Sequence, residues 1–168
     1  MLIGADPGVG GAIAILFDDG RYADVIDMPL REMKGATKKW HEVDVIALDQ
    51  AVETWRTVYQ DERYRLAIES QFVMRQPEQG GTANPFAIMR LGESRGMIRG
   101  VLEPKFGQAT MISPSAWKRR LNVPKDKKAS LDIARRIFPQ APLTLQKHHN
   151  RGEALLICRW LFEFGGTT

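Results

Sequence analysis

Residues 2–28 read LIGADPGVGGAIAILFDDGRYADVIDM, and this stretch decides the fold class. Two apolar runs of strand length, 2–6 and 11–17, are followed by an Asp-Asp-Gly turn at 18–20 and by a third run over 21–28. Short apolar runs separated by turn residues are typical of strands joined as hairpins. The opening of the chain therefore predicts a three-stranded antiparallel meander.

After the meander, the hydrophobic pattern alternates between the periods of helices and strands, which predicts an α/β protein. Two further strands are predicted, over 66–70 and 109–112. Residues 71–83 lack periodicity and predict a long loop. Helices are predicted from an N-cap at Asp44 to about 61, from an N-cap at Asn84 to about 105, around Trp117 and Leu121, over 127–138 and over 149–164.

The chain has 168 residues, of which 43% are hydrophobic and 26% are charged, as in an ordinary soluble globule. This length predicts one domain over residues 1–168. No apolar run approaches the roughly 18 residues that span a bilayer, and no secretory signal is recognisable at the N terminus. The single cysteine, Cys158, can form no intramolecular disulfide, which fits a reducing cytoplasm. We therefore expect a cytoplasmic protein without a membrane partner.

The basic residues are concentrated in the last third of the chain. The net charge is −3 over residues 1–100 and +7 over 101–168, and six basic residues lie within 118–128. Such a patch predicts a polyanionic partner, although a solvated helix surface would have the same composition.

Three glycines, Gly92, Gly96 and Gly100, lie four residues apart on one face of the predicted helix over 84–105. Each costs a helix about 1 kcal/mol relative to alanine. We therefore expect a sheet or a partner helix to pack tightly against this face.

Acidic residues close two of the predicted buried strands. Asp6 ends the first strand before a Pro-Gly turn, and Glu69 lies near the end of the strand over 66–70. A carboxylate in this setting needs hydrogen-bond donors or a cation, so each acid is either a capped structural residue or a metal ligand. Because these strands are predicted neighbours, the two acids could share a divalent ion.

The start of the last helix offers a third acid, Glu153, with His149 one turn before it on the same face. Asn150 is also within reach of Glu153, and His148 precedes the pair. A His-Glu pair on a helix is more often a surface pair. Together with two carboxylates, it becomes a candidate site for a hard metal ion.

Five segments in fixed order give the sequence a family resemblance. They are IGADPG at 3–8, AIESQF at 67–72, GESRGMIRG at 92–100, PSAWK at 114–118 and EAL at 153–155. In this order they resemble the RuvC-type Holliday junction resolvases, nearest to the bacteriophage and poxvirus branch. The match is collinear over nearly the whole chain, and its specificity comes from the ordered set.

The resemblance implies an RNase H-like fold, in which the meander and two parallel strands form a mixed five-stranded sheet flanked by helices. It also implies a homodimeric, structure-selective DNA endonuclease in a bacterial or virus-infected cell. Such an enzyme resolves four-way junctions by paired symmetric nicks, through hydrolysis with two Mg²⁺ or Mn²⁺ ions per site and no organic cofactor.

The resemblance also assigns roles to individual residues. Asp6, Glu69 and Glu153 match metal-binding catalytic carboxylates. The sequence departs from the family at the remaining acid, which His149 would replace as a catalytic metal ligand, with Asn150 or His148 as alternatives. The implied DNA contacts are Phe72, as an aromatic inserted at the junction centre, and Lys118, Arg119, Lys127 and Lys128.

Three alternatives stay open at this stage. The first is a nuclease for other branched DNA, such as flaps and forks. The second is an actin-like phosphotransfer domain, which would need a second phosphate loop that the sequence lacks. The third is a non-catalytic nucleic-acid-binding module, which would not need the three acids.

Overall fold

The computed structural model describes residues 1–35, 37–60, 63–70 and 85–165. The strands are β1 (Leu2–Asp6), β2 (Ala12–Leu16), β3 (Tyr22–Asp27), β4 (Leu30–Lys34), β5 (Lys39–Val43), β6 (Arg65–Glu69) and β7 (Ala109–Ile112). The helices are α1 (Val45–Tyr59), α2 (Pro85–Phe106), α3 (Pro114–Arg120), α4 (Lys127–Ile137) and α5 (His149–Phe164), with a 3₁₀ turn at Gln146–His148. The predicted loop 71–83 and the predicted cap Asn84 lie outside the described residues.

Five of the strands form a mixed sheet in the order β3-β2-β1-β6-β7. β1, β2 and β3 are antiparallel neighbours, whereas β6 runs parallel to both β1 and β7. The predicted meander and the two predicted parallel strands are therefore confirmed. In the register of β1 and β6, Ala5 pairs with Ile68. Asp6 and Glu69 follow these residues, so both acids lie at the same end of two adjacent strands.

Helices cover both faces of the sheet, which explains why β1 and β2 are buried along their whole length. Leu2 packs in one core with residues of α3, α4 and α5, whereas Ile3 packs in the other with residues of α1 and α2. Alternate strand residues point to opposite faces. Asp6 therefore lies on the same face as Leu2, towards α5.

A close approach at Gly4 fixes the distance between β1 and α5. A Cβ atom at Gly4 would lie 2.5 Å from the Ala154 carbonyl oxygen and 2.7 Å from the Cys158 backbone nitrogen. Only glycine leaves room for a helix backbone here. The part of α5 that carries Glu153 is thereby held against the strand that ends in Asp6.

Two features of the fold differ from expectation. The hairpin of β4 and β5 was not predicted, because its strands are polar and largely exposed. Ion pairs between the two strands, Arg31–Glu42 and Lys39–Glu32, hold it together. Neither the sheet nor a helix of the described chain packs against the glycine face of α2, so the expected packing by a partner helix stays a prediction for a second copy. Gly92, Gly96 and Gly100 are exposed, and no described atom lies within 4 Å of a Cβ added at any of them.

None of the helices in the described ranges has the length and apolar character needed to cross a bilayer. Cys158 is a free thiol and is fully buried beneath the sheet, where its Sγ donates to the Ala14 carbonyl oxygen at 3.3 Å. Burial raises the pKa of this thiol, which makes it unreactive. Cys158 therefore belongs to the hydrophobic core.

Candidate active site

Three carboxylic acids lie near the end of the sheet where β1 and β6 finish. Asp6 and Glu69 end adjacent strands, and Glu153 lies one turn into α5. All three are buried, with exposed fractions of 5%, 4% and 8%. The sheet register and the Gly4 contact thus place at one end of the sheet the three acids that the sequence singled out.

The three acids interact strongly enough to change the titration of Asp6. The pKa of Asp6 is raised from 3.8 to about 7. Burial is the largest cause and the charges of Glu69 and Glu153 add to it, while the Gly8 backbone N–H and the Lys127 ammonium act in the opposite direction. A cation bound beside Asp6 would favour the ionised carboxylate and reduce the repulsion between the three acids.

Two consecutive residues of α3 hold two of the acids. The Trp117 indole N–H donates to Glu69 Oε2 at 2.7 Å, and Lys118 Nζ donates to Glu153 Oε1 at 2.6 Å. Trp117 is fully buried, and its ring lies beneath the Lys118 ammonium at 5.1 Å from the ring centroid. Sequence analysis missed these contacts.

The sequence does contain a signal for the position of this clamp. Ser113 caps α3 by accepting from the Ala116 backbone N–H, and Pro114 occupies the first helical turn. The cap follows β7 directly, so α3 starts at the same end of the sheet as Glu69. An aromatic–lysine pair one turn into such a helix marks residues that face the strand ends.

The chemistry of the donor set fits a hard divalent cation. Carboxylate oxygens are the ligands that Mg²⁺ and Mn²⁺ prefer, and three of them are buried here with mutual repulsion. Within the described residues, however, no three His, Cys, Asp or Glu side chains converge as a preformed metal site. Lys118 occupies Glu153 Oε1, so a cation that binds this oxygen must displace Lys118.

The candidates for the fourth ligand occupy different surroundings. His149 contacts the Lys127 ammonium through Nε2, at 3.2 Å, and lies against the Gln146 carbonyl through Nδ1. The Asn150 amide donates to the carbonyl of Gly10, in the loop that follows Asp6. Asn150 therefore lies beside the loop next to the carboxylates, whereas the described contacts of His149 are with the basic patch.

His148 is buried and belongs to a separate cluster. Its Nδ1 accepts from the Leu145 backbone N–H at 3.3 Å. Burial and the charge of Arg151 lower its pKa, which favours the neutral ring. Arg151 itself forms a bidentate ion pair with Asp27, at 2.5 and 2.6 Å. The contacts of His148 thus point to a structural role.

The predicted DNA-contacting residues on α3 and α4 differ in their exposure. Arg119, Lys127 and Lys128 are exposed on α3 and at the start of α4, and the Lys127 charge is felt at Asp6. Lys118, in contrast, is only 15% exposed and is directed into the acidic centre. Phe72 lies outside the described residues, so its role as an inserted aromatic stays a prediction.

Comparison with solved structures shows that the chain has an RNase H-like fold. Two structures of RuvC from Thermus thermophilus, each 17% identical, resemble it over nearly their whole length. The one in complex with a Holliday junction substrate has a TM-score of 0.61 and matches 99% of this chain and 96% of its own. The other has a TM-score of 0.53 and matches 98% and 96%. No protein-family model and no curated protein match the sequence.

Proposed function

We propose that this chain is a structure-selective, metal-dependent DNA endonuclease that resolves four-way junctions by paired symmetric nicks. The observation that carries the proposal is the presence of three buried, electrostatically coupled carboxylates at the ends of β1 and β6 and near the start of α5, in the fold of a protein solved with a Holliday junction. An exposed basic patch borders the carboxylates, as an enzyme that acts on a phosphate backbone requires.

Asp6, Glu69 and Glu153 would hold the metal ions, two Mg²⁺ or Mn²⁺ per site, with His149 or Asn150 completing the set. When bound, such ions supply Lewis-acid activation of water and neutralise charge on the leaving oxygen of a phosphodiester. The chain's own contribution is to position the acids: Trp117 orients Glu69 by a buried hydrogen bond. The two core clusters keep the strand ends rigid beneath the acids.

Arg119, Lys127 and Lys128 would contact phosphates without reading sequence. The Phe72 ring would stack on bases at the junction centre, which offsets the cost of unstacking them. Both roles suit an enzyme that selects the shape of DNA.

The proposal includes a homodimer, because paired nicks need two sites related by a two-fold axis. The exposed glycine face of α2 supports the proposed homodimer. Near the start of the same helix, Phe86 and Met89 are large apolar side chains that are 71% and 53% exposed. A partner helix would cover them and explain the three glycines. We assign the dimer to the cytoplasm of a bacterial or virus-infected cell, where the buried thiol of Cys158 stays reduced.

Substitution of Asp6 by asparagine tests the catalytic assignment. We expect Asp6→Asn to abolish Mg²⁺-dependent cleavage of a labelled four-way junction and to keep or increase junction affinity, because it removes a ligand and a negative charge but keeps the side-chain shape. Asp132→Asn, at an exposed position on α4, is the control and should cleave at the wild-type rate. Wild-type turnover by purified Asp6→Asn protein would refute the assignment.

A further inference from the structure

Lys118 occupies a position that its place in the basic patch does not suggest. Its ammonium is 2.6 Å from Glu153 Oε1, and the side chains of the pair are only 15% and 10% exposed. The neighbouring residues of the patch, Arg119 and Lys125, are exposed. Lys118 is therefore a residue of the basic patch that pairs with a buried acid instead of facing solvent.

Simple electrostatics explains this placement. Asp6, Glu69 and Glu153 are all buried at the same end of the sheet, where their negative charges repel one another. A buried acid needs a counter-charge or hydrogen-bond donors to remain ionised. Among the described contacts, Glu69 receives a neutral donor, the Trp117 indole, whereas Glu153 receives a full positive charge.

We infer that Lys118 is a resident counter-ion of the carboxylate site, which stabilises the metal-free protein and must leave Glu153 before a divalent cation can use that oxygen. The inference rests on the proposed function, because it takes the three acids to be the metal site. It adds that Lys118 and the metal ion compete for Glu153, so Lys118 is a positioning residue that sets metal affinity.

Rotation of the lysine is sterically simple. Lysine is a compact charge on a flexible four-carbon stem, so it can release one partner and keep its stem against an aromatic surface. The Trp117 ring provides that surface, with the ammonium 5.1 Å from its centroid. Trp117 can therefore keep its bond to Glu69 while Lys118 moves.

The first test measures Mg²⁺ affinity by isothermal titration calorimetry, without DNA. We expect Lys118→Met to bind Mg²⁺ about tenfold more tightly than wild type. The variant lacks the charge-assisted hydrogen bond with which Mg²⁺ must compete, and the loss of one such bond corresponds to about this change in affinity. Lys125→Met removes the same charge from an exposed position of the patch and should change affinity less than about twofold. Lys118→Arg, which keeps the charge, should bind Mg²⁺ as weakly as wild type.

The second test measures thermal unfolding in EDTA. Lys118→Met should lower the melting temperature, and the loss should shrink when Glu153→Gln is present as well, because the double variant removes both partners. If Lys118→Met does not fold, Lys118→Gln removes the charge and keeps a donor, and it should show the same tightening of Mg²⁺ binding.

Equal or weaker Mg²⁺ binding by a folded Lys118→Met or Lys118→Gln protein would overturn the inference, as would additive losses in the unfolding cycle. Junction cleavage by wild type is scored separately. Cleavage without the affinity change would refute only the role of Lys118. The affinity change without cleavage of any branched DNA would refute only the proposed function.

Discussion

At Asp6, burial and two neighbouring carboxylates both favour the protonated acid and raise its pKa to about 7. The folded state therefore holds a proton on Asp6 between about pH 4 and 7, where the unfolded chain has released it. Folding that binds more protons becomes less favourable as the pH rises. The contribution of Asp6 to the free energy of unfolding is fully present below the ordinary pKa of aspartate, and it is lost as the pH rises through about 7.

This linkage predicts the pH dependence of stability in the absence of metal ions. In EDTA, the free energy of unfolding of wild type should fall relative to that of Asp6→Asn by at most about 1.4 kcal/mol per pH unit between pH 4 and 7. Above pH 7 the difference should become constant, with Asp6→Asn the more stable. Urea titrations at several pH values measure it, and parallel curves for the two proteins would contradict the assigned pKa.

The positions of the acids could be predicted from the sequence, but their partners could not. Asp6 and Glu69 stand at the ends of apolar runs, and Glu153 interrupts an apolar helix, so local pattern was sufficient. The bonds from Trp117 to Glu69 and from Lys118 to Glu153 join residues 48 and 35 positions apart in the chain. Only the packing of α3 against the strand ends brings these residues together.

At the scale of elements, α3 acts as a clamp on the carboxylates, and Trp117→Phe tests it. Phenylalanine keeps most of the ring and removes the donor to Glu69, so a buried carboxylate oxygen loses its partner. We expect a loss of about 1–3 kcal/mol in stability and a lower cleavage rate at saturating Mg²⁺. Urea titration and single-turnover cleavage measure the two effects.

Trp160→Phe is a matched control for this variant. The buried Trp160 indole nitrogen has no hydrogen-bond partner in the part of the chain that the structure describes. Its replacement therefore removes no described hydrogen bond, and the cleavage rate should stay at the wild-type value. Equal loss of cleavage in both variants would show that Trp117 acts only through packing.

The glycine face of α2 gives a prediction that separates helix stability from association. The added methyl group of alanine at Gly92, Gly96 or Gly100 would meet no described atom. Each substitution should therefore stabilise the folded monomer by about 1 kcal/mol, through the higher helix propensity of alanine. If the same face forms the dimer, three added methyl groups should separate the partner helices and weaken association. Sedimentation equilibrium and urea titration of the triple variant measure both effects. Unchanged association would exclude this face from the dimer interface.

Elements with a strong hydrophobic period were predicted well, and those without one were not. β7 and α5 begin and end where the sequence placed them, at 109–112 and 149–164, because their apolar residues have clear neighbours in the core. The hairpin of β4 and β5 contributes little to either core and is held by cross-strand pairs. Charged strands of this kind lack the apolar runs on which the strand prediction depended.

At the scale of the whole molecule, the charge asymmetry predicts that the basic last third of the chain faces DNA. Each lysine that neutralises a phosphate contributes about −0.9 to the slope of log K against log salt. Lys127→Ala and Lys128→Ala should therefore each flatten the slope of four-way junction binding by about one unit, as measured by fluorescence anisotropy at several salt concentrations.

Arg21→Ala is the control for this measurement. Arg21 is exposed beside the turn between β2 and β3, at the end of the sheet opposite to Asp6, and is paired with Asp19. Its loss should leave the slope unchanged. A slope that is also unchanged in the Lys127→Ala, Lys128→Ala double variant would reassign the patch to a solvated helix surface.

The central claim is tested most directly by incubating the purified protein with end-labelled four-way junction, flap and linear duplex, in Mg²⁺ and in EDTA, and mapping the cleaved bonds. We expect Mg²⁺-dependent nicks at symmetric positions on two opposing strands of the junction, with little cleavage of the flap and the duplex. Cleavage that persists in EDTA, or that is equally fast on linear duplex, would contradict the central claim.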